Sequence, residues 1–225
     1  MSKPSPTPIH WNPVPAPVAT TLHGRTVTLE PLDAEKHTPA LWEAVEGHDE
    51  VWAWLADGPY AAESRLREAL QQKQDGPAAV FFAIVPAATG LAAGYASFMR
   101  IDSANGVIEV GNILMSPSLQ RTTAATEAMY LMARHVFDDL GYRRYEWKCN
   151  ALNQPSRRAA QRYGFSFEGI FRQHMVIKGC SRDTAWFSML DSEWQARKRA
   201  FESWLDPANF DESGRQRAPL NALSD

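Results

Sequence analysis

Between residues 25 and 32 (RTVTLEPL) apolar and polar side chains alternate and several are β-branched, which predicts a strand. Asp33 then stands where a helix cap belongs. Leu41, Val45 and Val51, with Trp42, Trp52 and Trp54 among them, predict one or two helices with a thick apolar face, broken at Pro59. Over residues 61–74, Leu66, Ala69 and Leu70 fall on one side and the charges on the other, so another helix is expected. Asp75-Gly76-Pro77 ends it. Three strand-like stretches follow: the apolar run 78–85, then 90–101, then 106–115 after the hairpin signal Asn105-Gly106.

Ala125, Met129, Met132, Val136 and Leu140 recur at helical spacing, which predicts a helix over 124–140 that Gly141 stops. Residues 142–149 read as a strand, 154–163 as a short helix ending at Gly164, and 165–177 as a strand. Lys178-Gly179 turns the chain into a partner strand, 181–190. Asp191 or Ser192 can cap a last helix running through Trp194, Phe201, Trp204 and Leu205. A hairpin block followed by β-α-β-α-β-β predicts a mixed sheet covered by helices, an α/β (α+β) fold. No internal repeat is visible.

Composition narrows the class. With 225 residues, 44% of them hydrophobic, the chain is expected to form one cored domain with appendages. A net charge of -3 gives no general pull toward nucleic acid or an anionic membrane, so neither is expected as a partner. Cys149 and Cys180 are too few for a disulfide framework, and the histidines show no ligand spacing, so no metal site is expected. The start of the chain lacks the apolar core of a signal peptide, and no apolar run approaches the ~20 residues that cross a bilayer. A soluble, cytoplasmic protein is the expectation. Residues 1–20, with Pro4, Pro6, Pro8, Pro13, Pro15 and Pro17, read as an extended arm in which Trp11 is expected to pack on the domain. The expected division is this arm, a domain over 21–193, and a C-terminal helix and tail over 194–225.

The candidate chemistry lies in residues 106–190. A strand (IEVGNILM) runs through Ser116-Pro117-Ser118-Leu119 into Gln120-Arg121-Thr122-Thr123-Ala124-Ala125-Thr126 and a helix. The first amides of a helix lack internal partners and carry positive partial charge, so such a junction can hold an anion. By itself the segment reads equally as an ordinary Thr-capped helix. Further on, Asn150-Ala151-Leu152-Asn153-Gln154-Pro155-Ser156 precedes Tyr163-Gly164-Phe165-Ser166-Phe167-Glu168-Gly169, and Phe171-Arg172-Gln173 precedes Gly179-Cys180-Ser181-Arg182-Asp183. Together these segments resemble the GNAT superfamily of N-acetyltransferases, in its branch that includes ribosomal-protein (Rim-type) N-terminal acetyltransferases. The resemblance covers roughly residues 24–193. The family's loop pattern is Gln/Arg-x-x-Gly-x-Gly/Ala. Gln120 and Ala125 match it, whereas Thr123 stands where glycine is usual.

The resemblance implies a mostly antiparallel central sheet whose fourth and fifth strands, 106–115 and 142–149, splay apart. It also implies acetyl-CoA as co-substrate. Ile113, Leu114 and Met115 would line the thioester and pantetheine; Gln120, Arg121, Thr122, Thr123, Ala124, Ala125 and Thr126 would hold the pyrophosphate. Asn153 would bond the pantetheine, and it is equally a good helix N-cap. Ser156 matches a serine placed near the CoA sulfur, where it could protonate the leaving thiolate; otherwise it is a polar first-turn residue. Glu109 falls on the fourth strand where such enzymes often carry an acid. An ammonium must lose a proton before it can attack, and a partly buried carboxylate can take it. Strand alternation groups Glu109 with Val107, Gly111 and Ile113, and Ile108 with Val110, Asn112 and Leu114.

Arg143, Arg144, Lys148, Arg157, Arg158 and Arg162 form one basic run, read either as a field for CoA phosphates or as ordinary solvated edges. Trp11, Trp42, Trp52, Trp54 and Tyr60 are either core or the wall of an acceptor pocket. The expected activity is acetyl transfer to a primary amine, either a peptide N-terminus or a small molecule. The alternative is a CoA-binding sensor or interaction domain without catalysis. The sequence leaves a homodimer open.

Overall fold

The computed structural model describes residues 9–223. Pro4, Pro6 and Pro8 of the arm, and residues 224–225, lie outside the described residues. Among the described residues eight strands form one sheet in the order β1-β2-β3-β4-β5-β6-β8-β7. They are β1 (Leu22–His23), β2 (Val27–Pro31), β3 (Ala79–Pro86), β4 (Gly94–Asp102), β5 (Val107–Met115), β6 (Arg144–Asn150), β7 (Ser166–Ile177) and β8 (Cys180–Leu190). The helices are α1 (Ala34–Val45), α2 (Glu63–Asp75), α3 (Thr123–Arg134), α4 (Gln154–Arg162) and α5 (Asp191–Leu205). All neighbouring strands are antiparallel except β5 and β6, which run parallel. This is the mixed, mostly antiparallel sheet that the sequence led us to expect.

β1, too short to show alternation, precedes the first predicted strand. The fourth and fifth predicted strands are therefore β5 and β6. Asp33 caps α1 by accepting from the Lys36 amide at 2.9 Å. The tryptophan-rich stretch after α1 forms only a 3-10 turn, Asp49–Trp52. The helix predicted to end at Leu140 stays α-helical to Arg134 and then widens into a π turn, in which the Leu140 amide reaches the His135 carbonyl at 3.0 Å.

One face of the sheet packs on α3 and α5. Ile108, Val110, Tyr145, Trp147 and Phe187 from the strands meet Met129, Met132, Trp194 and Phe201 from the helices. Phe98 links this core, with ring centroids 5.5 Å from Phe82 and 6.4 Å from Tyr145. Each fully buried large side chain contributes roughly 1.5–3 kcal/mol. Trp194, Phe201, Trp204 and Leu205 of the C-terminal helix, and Leu220 beyond it, are members of the same core. On the other face α1, α2 and the 3-10 turn between them cover Phe81, Ala83, Val85, Tyr95 and Leu114 through Leu41, Leu66, Leu70 and Trp52. β7, at the sheet edge, is exposed along most of its length.

The arm lies on the β4–β5 hairpin. The Trp11 indole donates to the Ala104 carbonyl at 2.8 Å, and the Val14 amide donates to Ser103 at 3.1 Å. Gly106 turns that hairpin at φ 61°, and a Cβ there would lie 2.3 Å from the Trp11 ring. The Asn105-Gly106 turn thus serves both the hairpin and the seat of the arm.

β5 departs from simple alternation. Tyr95 pairs with Leu114 but Ser97 pairs with Gly111, so β5 carries an extra residue. Asn112 takes up the bulge at φ 49°. Its side-chain amide donates to Ser97 Oγ at 3.1 Å, and that hydroxyl donates to the Gly111 carbonyl at 3.1 Å. The bulge inverts every later side chain. Ile113 therefore joins the α3 core and not the face of Glu109, and Leu114 joins the α1/α2 core. This corrects the facing expected from the sequence.

Candidate active site

β5 and β6 are paired only from Val107↔Arg144 to Val110↔Trp147. β5 continues to Met115 and β6 to Asn150 without further pairing to each other. Backbone groups of Gly111–Met115 on the β6 side are thus released from the ladder. The bulge at Asn112 starts this divergence on β5.

Below the split, Met115 leads through Ser116 into the start of α3. Gln120 donates from its side-chain amide to the Met115 carbonyl at 3.0 Å, tying the loop to the end of β5. Arg121 holds a left-handed φ of 62°, which turns the chain into the helix. Thr122 is the N-cap: its Oγ1 accepts from the Ala125 amide at 3.1 Å and donates to the Leu119 carbonyl at 2.7 Å. Among the described residues no acceptor takes the amides of Thr123 and Ala124. Two free N–H groups at the positive end of a helix are the chemistry that can hold an anion. Thr126 adds a hydroxyl that accepts from Arg162 Nη1 at 3.1 Å, which brings one guanidinium of the basic run to the first turn of α3. The others disperse. Arg143 lies over Trp11, Arg144 pairs with Glu146 and Glu168, and Arg157 donates to the Ala151 carbonyl. The run is not one phosphate patch.

Across the split, α4 begins just beyond β6. Asn153 caps it, accepting from the Ser156 amide at 3.1 Å. Ser156 Oγ accepts from the Trp147 indole at 3.0 Å. The buried Cys149 thiol lies beside that hydroxyl, and burial pushes it above its ordinary range, so it is no ready thiolate. Ile113–Met115 and the α3 start thus follow the paired part of β5, and Asn153 and Ser156 follow the end of β6. Glu109 lies at the paired end of β5, four residues before Ile113, or about 13 Å at ~3.3 Å per residue.

Glu109 is 5% exposed. Its Oε2 is 2.9 Å from Lys148 Nζ and 3.1 Å from Arg100 Nε, distances of ion pairs without aligned hydrogen bonds. Burial pushes Glu109 above the usual carboxylate range, against the opposing pull of Lys148 and then Arg100. Lys148 also reaches Glu146 at 2.6 Å and sits 3.7 Å over the Trp186 ring. Arg144 continues the row from Glu146 to Glu168, whose carboxyl it lowers to about 2. Sequence reasoning missed Arg100, Trp186 and His174 on this face. Trp186 stood in a strand with nothing to mark it, and His174 lay next to the quoted Gln173.

Between α2 and strands β3–β5 lies a cavity of about 360 Å³ lined by Asp57, Tyr60, Lys73, Phe81, Met99 and Asn112 among others. Asp57 accepts from the Tyr60 hydroxyl at 2.7 Å and from Lys73 at 2.6 Å. Tyr60 is the member of the expected aromatic wall that lines it. Trp52 is core, Trp11 sits on the distant hairpin, and Trp54 is exposed. Among the described residues no group of His, Cys, Asp and Glu is arranged to hold a metal, and no helix is long and apolar enough to cross a membrane.

A sheet parted at a parallel pair, with an anion-seating helix start beside the gap, defines the fold of an acetyl-CoA-dependent acetyltransferase. The family profile described as "Acetyltransferase (GNAT) domain" matches residues 26–166, and the chain belongs to that family. Its members use acetyl-CoA as co-substrate. A GCN5-related N-acetyltransferase from Brucella melitensis superposes with a TM-score of 0.93 at 50% identity, covering 96% of this chain and 98% of that one. An acetyltransferase (GNAT family) structure from Chromobacterium violaceum gives 0.79 at 36% identity, over 87% of this chain and 98% of that one. A Bacillus subtilis (strain 168) protein that carries the name of a ribosomal N-acetyltransferase, YdaF, is 25% identical over 174 residues, 76% of this chain and 92% of its own.

Proposed function

We propose that this chain, acting in the cytoplasm, moves the acetyl group of acetyl-CoA directly to a primary amine of a peptide N-terminus or a small molecule. The observation that carries this reading is the split between β5 and β6, open from Gly111 and Lys148 onward, with the α3 start at one end and a buried carboxylate at the other. In this reading the amides of Thr123 and Ala124 and the hydroxyls around them hold the pyrophosphate. The freed backbone of Ile113–Met115 lays out the pantetheine and polarises the thioester carbonyl, and Asn153 bonds the pantetheine. The amine attacks, a proton passes to Glu109 through water, and Ser156 returns one to the sulfur. The raised proton affinity of Glu109 supports its part, and the unactivated Cys149 supports transfer without a covalent enzyme intermediate. The name of the Bacillus subtilis relative supports a protein amine as acceptor. The cavity beside Asn112 has room for the part of the acceptor next to its nitrogen.

The test is release of free thiol from acetyl-CoA across a panel of amines and peptides. Amine-dependent release with the acetyl group recovered on nitrogen is expected. Tight CoA binding with no turnover of any acceptor would favour a sensor or interaction domain, for which the threonine at position 123 is the argument.

A further inference from the structure

β7 carries two extra residues opposite β8: Phe171 pairs with Thr184, but the next pair is Met175 with Arg182. The excess is held, not slack. Gln173 sits at φ 50°, and its amide donates to Asp183 Oδ1 at 2.7 Å. A left-handed glutamine fixed by a carboxylate across the strand is a costly way to make an edge, and bulges of this kind re-aim a neighbouring side chain. Here the side chain is His174. Its Nδ1 lies 3.0 Å from Thr184 Oγ1, and its ring stands 5.6 Å from Phe171 and 5.9 Å from Trp186. Trp186 carries Lys148 on its other contacts, and Lys148 pairs with Glu109. His174 thus occupies the same face as the carboxylate of the proposed reaction, toward its exposed edge.

Two buried donors next to it, Trp186 Nε1 and Arg182 Nε, have no hydrogen-bond partner among the described residues. This face is short of an acceptor atom that a bound molecule would bring. The charges facing His174 are Arg100 from β4, Lys148 from β6 and Arg182 from β8, with Glu109 and Glu146 paired to Lys148. Burial, then Arg100, Arg182 and Lys148, hold the imidazole below its ordinary range, so it is neutral at neutral pH. The same cations repel an ammonium ion.

Acetylation of an ammonium removes two protons from its nitrogen: one before attack, to free the lone pair, and one after the N–C bond forms. We propose that His174 takes the first, deprotonating the incoming ammonium as it crosses the Phe171–Trp186 face, and leaves the second to Glu109. The R–NH₃⁺ group gives one proton to the imidazole and becomes R–NH₂. The nitrogen then attacks the thioester carbon, the C–S bond breaks as N–C forms, and the second nitrogen proton leaves to Glu109. The thiolate collects a proton from Ser156, which regains one from solvent, and Glu109 and the imidazolium return theirs to solvent, so that one net proton is released. This rests on the acetyl-transfer reading above.

The experiment compares two probes on wild type, His174→Gln and Glu109→Gln: a short peptide with a free α-amine, and a peptide hydrazide, which is already neutral near pH 7. For His174→Gln, kcat/KM with the amine falls on the order of 100-fold, with the hydrazide less than about threefold. Its rate with the amine then rises with pH as the free amine itself appears in solution. Glu109→Gln loses rate with both probes. Calorimetric affinity for acetyl-CoA, unchanged in His174→Gln, shows that the variant is folded, and His174→Asn serves as a second variant. Equal losses of His174→Gln on both probes, or an unaltered pH profile, overturn the proposal. Absence of wild-type turnover with either probe overturns this proposal for a peptide amine, and absence of turnover across the whole acceptor panel overturns the acetyl-transfer reading as well.

Discussion

The two faces of the adjoining stretches of β5 and β6 are built on opposite principles. Behind the sheet, Ile108, Val110, Tyr145 and Trp147 close into an apolar core with α3 and α5. In front, the side chains of Glu109, Glu146 and Lys148 are nearly as buried, yet each carries an ionisable group held against an opposite partner. The rear face gains from every methylene removed from water. The front face incurs a desolvation cost that only its partners offset, so it is stable as a set and fragile as parts. The comparison teaches where the chemistry can sit. A buried carboxylate with a shifted proton affinity needs a rigid sheet behind it, and strand alternation supplies both from one segment.

The largest effect expected on the rear face comes from Phe98→Ala, which should lower unfolding free energy by about 3–5 kcal/mol in denaturant titration. Phe98 is fully buried, and its ring joins Phe82 and Tyr145 across the core. The front face answers with Lys148→Met. Glu109 then keeps only Arg100, and a loss of about 3 kcal/mol is expected at neutral pH. The sign with pH separates the two faces. Removing Lys148 takes away a cation that lowers the proton affinity of Glu109, so its folded-state pKa climbs further above the ordinary carboxylate value. A carboxyl raised in the fold favours folding below its unfolded pKa and loses that contribution as pH rises through the folded one. The Lys148→Met deficit should therefore shrink in acid and grow toward neutrality, whereas the Phe98→Ala deficit should stay level. A flat Lys148→Met deficit would break the contrast.

Glu109→Gln tests the front face for chemistry. Under the acetyl-transfer proposal kcat falls on the order of 100-fold, while affinity for acetyl-CoA stays nearly intact. Ser156→Ala should do the same to a lesser degree. The smallest effect belongs to Glu168, 40% exposed at its side chain. Arg144 lowers its folded pKa to about 2 from 4.5, so its contribution is present above pH 4.5 and fades as pH falls toward 2. Wild type and Glu168→Gln should accordingly converge in stability over that acid range.

Much of this was readable in the chain. Thr122 and Asn153 fall at helix starts because their short polar side chains can reach the amide three residues on, a local rule visible in sequence. The succession of strands and helices along the chain after β1 followed from where apolar alternation gave way to helical spacing. The ion cluster was not readable, because Glu109 meets Lys148 only through the parallel register of β5 and β6, which brings together residues far apart in the chain. Ile113 was misplaced because a single bulge residue reverses the alternation. Asn112, of a type that tolerates positive φ, was its one local sign. His174 depended on a two-residue excess in β7 that no period-two pattern announces.

The claim on which all of this stands is that the start of α3 seats the diphosphate of acetyl-CoA. Calorimetric titration of acetyl-CoA into wild type and into Thr123→Glu, which sets a carboxylate at the half-exposed helix start, tests it most directly. The account predicts saturable binding to wild type and a loss of at least about tenfold in the variant, since like charge opposes the phosphates. Equal affinity in both proteins, or no association with wild type at millimolar acetyl-CoA, would contradict it.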